Sequence, residues 1–450
     1  MSFGVANIFR VPELRKKILL TLGILLVYRI GFHVPIPGVN VEALEDIASS
    51  GPLGRLFGLM GSLTGGQLQS ATLFSLGVMP YISASIIFSL LAKTIPSLEK
   101  LQKEGQSGQR KINQYTRLAT IPICLVQSFF VIFGVLNQST PKGIPLVYTE
   151  VWGLPYVVGV MIALTAATMF IMWLGEQITE HGIGNGMSII IMAGIVADIP
   201  AAFIGYFGQQ GSTFDERVQR MLLYALAWVL VVFCIVYITK GQRRIPIQQA
   251  RQTRGRKVYG GQRHFLPIKV NQAGVMPIIF ASALMIVPMM LTQIPFLKKY
   301  GEPFNSNTSF SYIVVFSVII IFFAFFWVQM MFQPKEIADN LREQGSFVPG
   351  IRPGQQTADM IQRVMTRITL AGAVFLCLIA IVPNFITQQI GGLNQTWAYF
   401  LGGTSILIVV EVALDLVEQI NAHLVMRNYE GFMKTGDHEN PTGWGRKSQT

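Results

Sequence analysis

The sequence predicts an all-α membrane protein with ten transmembrane helices. Three observations predict it. Of 450 residues, 51% are hydrophobic and only 13% are charged, against about 25% charged in an ordinary soluble domain. Mean hydropathy is +0.47. The apolar residues are gathered in long runs, and a membrane crossing needs about 20 of them. Lipid offers the backbone no hydrogen-bond partners, so each run must be helical.

The spans read as 18–34, 72–92, 118–136, 153–174, 187–207, 221–239, 273–293, 311–332, 368–386 and 399–423. The first follows Arg10, Arg15, Lys16 and Lys17, the layout of a signal peptide. Val34-Pro35-Ile36-Pro37-Gly38 stands where a small-residue cleavage site would be, so a retained helix is expected.

Basic residues between the spans give the orientation. The N-terminal tail carries four, 93–117 six, 240–270 nine, 333–367 five and the C-terminal tail four, together 28 of the chain's 35. The other side holds Arg55, Lys142, Arg217, Arg220, Lys298 and Lys299, with Arg29 near that end of the first span. The positive-inside bias places both termini in the cytoplasm. Most of the net charge of +12 is thus orientation signal rather than affinity for a polyanion.

Two cytoplasmic loops, 240–270 and 333–367, are too long for turns. The first contains Gly241-Gln-Arg-Arg244 and Arg251-Gln-Thr-Arg-Gly-Arg-Lys257, the second Phe347-Val-Pro-Gly-Ile-Arg-Pro-Gly354. Their Gly and Pro residues predict ordered hairpins, and long loops in compact proteins carry function. The stretch from Leu53 to Leu91 is too long for one span. Leu53, Leu56, Phe57, Met60 and Leu63 have helical spacing, and Thr64-Gly-Gly-Gln-Leu-Gln-Ser70 interrupts them. A re-entrant piece and an external surface helix both fit.

Little here suggests chemistry. Cys124, Cys234 and Cys377 lie inside apolar runs and read as small buried hydrophobes. His33, His181, His264, His423 and His438 are scattered, with no His-Glu-x-x-His, and there is no Walker motif. No catalytic residue, metal or cofactor is expected. Gly182-Ile-Gly-Asn-Gly186 reads as a tight interhelical turn. Glu411, Asp415 and Glu418 share one face of the last span, the feature a secondary transporter for a small solute would use. That transporter is the alternative reading.

One ordered set of motifs is specific. It comprises Pro35-Ile-Pro-Gly38, Leu76-Gly-Val-Met-Pro-Tyr-Ile-Ser-Ala-Ser85, Glu104-Gly-Gln-Ser-Gly108, Trp173-Leu-Gly-Glu-Gln-Ile-Thr-Glu180 with Gly182–Gly186, Gly241-Gln-Arg-Arg244, Lys269-Val-Asn271, Phe347–Gly354 and Gly402-Gly-Thr-Ser405. From Leu14 to about Arg427 the chain resembles the SecY family, the channel-forming subunit of the bacterial Sec protein translocase. The resemblance implies two pseudo-symmetric five-helix halves, 18–208 and 209–426, around an hourglass pore, with tails 1–17 and 427–450 in the cytoplasm. It implies a protein-conducting channel in the bacterial cytoplasmic membrane. Unfolded secretory polypeptides would cross it and hydrophobic segments would leave sideways into the lipid bilayer.

By the same resemblance, Val78, Ile82, Met187, Ile191, Ile279 and Ile408 form the pore ring. Uncharged flexible side chains can close around a chain and exclude ions by dewetting. Val78 and Met187 depart from an all-isoleucine ring. The broken helix at 53–64 becomes the plug, with Leu56, Phe57, Met60, Gly61 and Leu63, and with Gly65-Gly66 as hinge. Ser83, Gln127 and Asn271 mark the lateral gate, where each polar contact holds helices together by about 0.6–2 kcal/mol. Arg251, Arg254, Arg256, Lys257 and Arg352 form the cytoplasmic docking surface. The implied partners are the SecA motor ATPase, the ribosome with its rRNA, SecE- and SecG-like small membrane subunits, signal peptides and nascent chains. The channel is not an enzyme. Energy comes from the motor, the ribosome or the proton motive force. Asp415 matches a family aspartate, whereas Glu411 falls where the family is usually apolar.

Overall fold

A computed structural model describes residues 12–40, 71–136, 145–148, 152–197, 199–200, 214–249, 252–254, 257–259, 263–290, 304, 309–390 and 403–436. It is mainly helical. The first half contains α1 (Pro12–Gly31), α2 (Met79–Thr94), α3 (Pro96–Lys103), α4 (Gln106–Val131), α5 (Leu154–His181) and α6 (Gly186–Ala197). The second contains α7 (Phe214–Thr239), α8 (Met276–Met290), α9 (Phe310–Met331), α10 (Pro334–Glu343), α11 (Gln355–Ile390) and α12 (Gly403–Gly436). A helix lies over each expected span, and α3 and α10 are additional short ones.

Among the described residues, Leu154–His181, Met221–Thr239, Phe310–Glu343 and Gln355–Pro383 are long and apolar enough to cross a membrane. The pair Met79–Thr94 and Pro96–Gln102, bent by 102°, would make a fifth if taken as one span. The other expected spans differ in length or polarity. α6 and α8 have 12 and 15 residues, fewer than the roughly 20 of a full crossing. α12 carries Glu411, Asp415 and Glu418.

The ends of the helices follow local chemistry. The second expected span starts late, at Met79, because residues 71–78 form turns, with Ala71 and Gly77 at positive φ and Pro80 in the first helical turn. Pro96 at the start of α3 sets the sharp bend after Thr94, since a proline there has no N–H to continue α2. The 182–186 turn is as tight as expected. A Cβ on Gly186 would collide with the Gly175 carbonyl, so α5 and α6 approach at their backbones. Small residues permit such contacts, and in lipid the resulting dispersion drives helix association.

The all-α expectation fails in the two long loops. β1 (Gln242–Gln249) and β4 (Arg263–Lys269) form an antiparallel hairpin, and β5 (Ser346–Phe347) joins the other edge of β1. One three-stranded sheet therefore unites the 240–270 and 333–367 loops. β2 (Gln252–Arg254) pairs with β3 (Lys257–Tyr259) further out on the first loop. Alternation explains the hairpin: Ile245 and Ile247 are buried while Arg243 and Arg244 are exposed. Ile245 and Ile268 pack with Trp327, Val328, Val348, Ile361 and Met365, anchoring the sheet on α9 and α11. Each such buried side chain contributes about 1.5–3 kcal/mol where it leaves water.

Candidate pore and docking surface

The structure brings all six candidate ring residues into one apolar cluster. Val78, Ile191, Ile279 and Ile408 are among its buried members, and Ile82 and Met187 are partly buried against it. They come from different elements: Val78 caps α2, Ile82 lies in its first turns, Met187 and Ile191 are on α6, Ile279 on α8 and Ile408 on α12. Val78 and Ile82 are joined directly, the Ile82 N–H donating to the Val78 carbonyl at 3.0 Å. The i, i+4 spacing of Met187 and Ile191 puts both on one face of α6. Ile191, Ile279 and Ile408 are 8%, 9% and 4% exposed, too little for side chains turned to lipid.

The same cluster contains an aromatic group that the sequence did not single out. Tyr28 and Phe32 of α1 pack edge-on at 4.9 Å, and both rings meet Phe74, at 6.3 and 5.8 Å. Their periodicity resembles any apolar helix face, and the contact to Phe74 is long-range, so no local signal marked them. A second omission is the ion pair of Arg117 on α4 with Glu176 on α5. Glu176 lay inside a motif, but its partner is 59 positions away, and no spacing rule links them.

The gate candidates are only partly gathered. Ser83 on α2 and Gln127 on α4 stand on helices that pack together. Asn271 lies in the turn before α8, and α8 packs chiefly on α9 rather than on either of those helices. Asn271 is buried. Gln127 Oε1 and Asn271 Nδ2 are both buried without a hydrogen-bond partner among the described residues. The plug candidates Leu56, Phe57, Met60, Gly61 and Leu63 lie outside the described residues, as do Arg251 and Arg256.

In the first long loop, the β2–β3 register sets Arg254 opposite Lys257. Arg352 is exposed on the loop leading into α11. Its backbone is held from several sides. Gly350 and Gly354 have φ of 82° and 102°, conformations that suit glycine. The Ile351 N–H donates to Val348 at 3.1 Å, and the buried Thr357 hydroxyl donates to the Arg352 carbonyl at 2.9 Å. Val348 is itself part of the core beneath the sheet. The side chain is thus exposed while its backbone is held in place. Arg363 and Arg367, one helical turn apart, are also exposed and line a concavity of about 400 Å³ with Asp359, Gln362 and Thr366.

Comparison with known proteins identifies the family. The SecY family profile matches residues 72–417. The protein translocase subunit SecY of Streptomyces griseus is 41% identical over 443 residues, covering 96% of this chain and 100% of that protein. That of Aquifex aeolicus is 41% identical over 441 residues, with the same coverage. A solved protein-conducting channel superposes with a TM-score of 0.59 at 20% identity, over 91% of this chain and 93% of that one. Sec61 from the canine ribosome–channel complex of the endoplasmic reticulum gives 0.57 at 19% identity, over 91% and 93%. At such identity the two structures establish a shared fold. The profile and the near-complete alignment to the curated relatives establish the kinship: this chain belongs to the SecY family.

Proposed function

We propose that this chain is the channel subunit of a protein translocase, passing unfolded polypeptide across a membrane and releasing apolar segments into lipid. The observation that carries this reading is the convergence of Val78, Ile82, Met187, Ile191, Ile279 and Ile408 in one cluster. Uncharged side chains drawn from both halves of the chain give no fixed register to a passing chain and no binding site to an ion. That suits a substrate defined by being unfolded rather than by its sequence. Relatives bearing the name protein translocase subunit SecY, aligned over nearly the whole chain, support the same reading.

The finer account follows from it. Ten spans in two halves, 18–208 and 209–426, surround the pore, with both termini in the cytoplasm of a bacterium. The segment 53–64 is the plug, and Ser83, Gln127 and Asn271 line the lateral gate. The sheet that unites the two cytoplasmic loops, with Arg254, Lys257 and Arg352, receives the motor ATPase or the ribosome. Arginine held on a rigid loop suits carboxylate and phosphate recognition. Contacts to ribosomal RNA would weaken with salt, because each neutralised phosphate releases counterions. A solved relative in a ribosome–channel complex supports that partner. SecE- and SecG-like subunits complete the assembly. The chain itself catalyses nothing.

The test is reconstitution. Vesicles containing this chain with its small subunits should import a signal-bearing unfolded substrate when motor and ATP are added. Accumulation of a small solute down an ion gradient, with no polypeptide import, would support the transporter instead.

A further inference from the structure

Arg117 and Glu176 stand outside the apolar cluster, yet they lie on the path that joins two of its parts. Arg117 Nε is 2.5 Å from Glu176 Oε1. That nitrogen is buried and, among the described residues, has no partner but this carboxylate. Arg117 precedes the apolar run of α4 and Glu176 follows that of α5. With side chains 42% and 22% exposed, the pair is partly shielded from water, and its attraction is stronger than that of a fully solvated pair.

The rest of the α4–α5 contact does little to fix register. Thr116, Thr120, Cys124 and Ser128 are buried at four-residue spacing, on one face of α4. The Thr116, Thr120 and Ser128 hydroxyls donate to Ile112, Thr116 and Leu125, carbonyls of their own helix. The Cys124 thiol, 3.5 Å from Thr168 Oγ1 and 3.9 Å from the Leu164 carbonyl on α5, is a weak donor. Small side chains let helices approach closely, but so smooth a stripe resists sliding poorly. An ion pair between fixed points resists it.

Both helices lead to the ring. α4 packs on α2, with Tyr115 stacked on Phe88 at 6.5 Å, and α2 brings Val78 and Ile82 to the cluster. On α5, Gly175 precedes Glu176 and is the point of contact with α6. A Cβ on Gly175 would collide with Met187 Sδ. The Thr179 hydroxyl donates to the Gly175 carbonyl at 3.0 Å and accepts from the Gly186 N–H at 2.9 Å. α6 then brings Met187 and Ile191 to the cluster.

We propose that Arg117 and Glu176 are positioning residues, whose ion pair fixes α4 against α5 and so keeps the ring side chains of α2 in register with those of α6. This inference rests on the channel reading. At rest the pair holds Val78 and Ile82 against Met187 and Ile191. Without it, α2 and α4 slide together along the small-residue stripe, and the constriction opens more often.

The experiment is a double-mutant cycle on the complete channel complex in planar bilayers, using Arg117→Glu, Glu176→Arg and the pair. Resting ion conductance should rise about threefold or more in each single variant, the factor a typical intramembrane polar contact supports. It should return toward the parent value in the pair. Unchanged conductance in the single variants, or conductance in the pair equal to the product of the two single effects, would overturn the proposal. If reversal prevents assembly, Arg117→Met and Glu176→Gln are measured in the same way. The double variant should then leak no more than either single one, and a multiplicative rise overturns the proposal. Cys124→Ala trims the same interface without touching the ion pair, and conductance should stay at the parent value. A leak as large as that of Arg117→Glu would reduce the pair to general packing and overturn its positioning role. Import by the same complexes separates the two ideas. Rescue of conductance by the charge swap, in a complex whose parent form imports no polypeptide, contradicts the channel reading alone. Normal import by the parent, with no coupling between positions 117 and 176, contradicts the positioning role alone.

Discussion

The apolar helix cluster and the exposed loop surface of this protein place their key side chains in opposite ways. Ile82, Ile191, Ile279 and Ile408 reach one cluster from four helices spread over more than 300 residues of sequence. Arg352 is positioned almost entirely by its neighbours, through Gly350, Gly354, the 348–351 turn and the Thr357 hydroxyl. The first arrangement requires only shape and lack of charge, so a change of one apolar side chain for another should be tolerated. The second depends on a fixed direction for one guanidinium, and backbone geometry supplies it. The difference predicts that the interior fails by polarity and the face by charge or by loss of rigidity.

The largest effect should follow a charge placed in the interior. Ile191→Asp would put a carboxylate in a cluster of apolar side chains, and its hydration should wet the constriction. Resting conductance in planar bilayers should rise by about tenfold or more. Parent-level conductance in an assembled Ile191→Asp channel would separate the cluster from the ion seal.

Next in size is reversal on the face. Arg352→Glu should reduce motor- or ribosome-driven import by about tenfold, with stability changed by about 0.5 kcal/mol or less because the side chain is exposed. Import at the parent rate would show that the loop serves orientation only. Thr357→Val sharpens the comparison, since it leaves Arg352 in place and removes the hydrogen bond that holds its backbone. A lost hydrogen bond costs about 1 kcal/mol, so an import defect several times smaller than that of Arg352→Glu is expected. A defect as large would mean that Thr357 supports more than this loop. The smallest effect should come from Ile279→Leu, which keeps volume and polarity. Stability should fall by less than about 1.5 kcal/mol and conductance should stay at the parent value. A leak here would mean that the cluster depends on exact side-chain shape.

Much of this was legible in the sequence, for identifiable reasons. The helices were readable because lipid forces long apolar runs into one conformation, and a helix lies over every expected span. Their ends were less readable. The start at Met79 depends on turns at 71–78, and α11 reaches back to Gln355, beyond the apolar run, where polarity no longer marks the helix. The hairpin of the first long loop was anticipated from its composition. Its union with Ser346 and Phe347 was not, because a two-residue strand leaves no periodic trace. The ring candidates came from motif resemblance, since an isoleucine at helical spacing has the same local signature facing lipid, core or pore. The Arg117–Glu176 pair and the Tyr28–Phe32–Phe74 group were missed because each depends on contacts between distant segments. Glu411 was visible as an anomaly, but its neighbour Gly274 became apparent only in three dimensions.

The central claim, that polypeptide passes through the apolar cluster, is tested most directly by site-specific cross-linking to an arrested translocating chain. Single cysteines would replace Ile82, Ile191, Ile279 and Ile408 in the reconstituted complex, and a cysteine in the middle of the arrested substrate would probe them. The account predicts cross-links from all four positions to the same short stretch of substrate, with none from the exposed Leu226 of α7. Cross-links from Leu226 and none from the four cluster positions would contradict it, whatever the family to which the chain belongs.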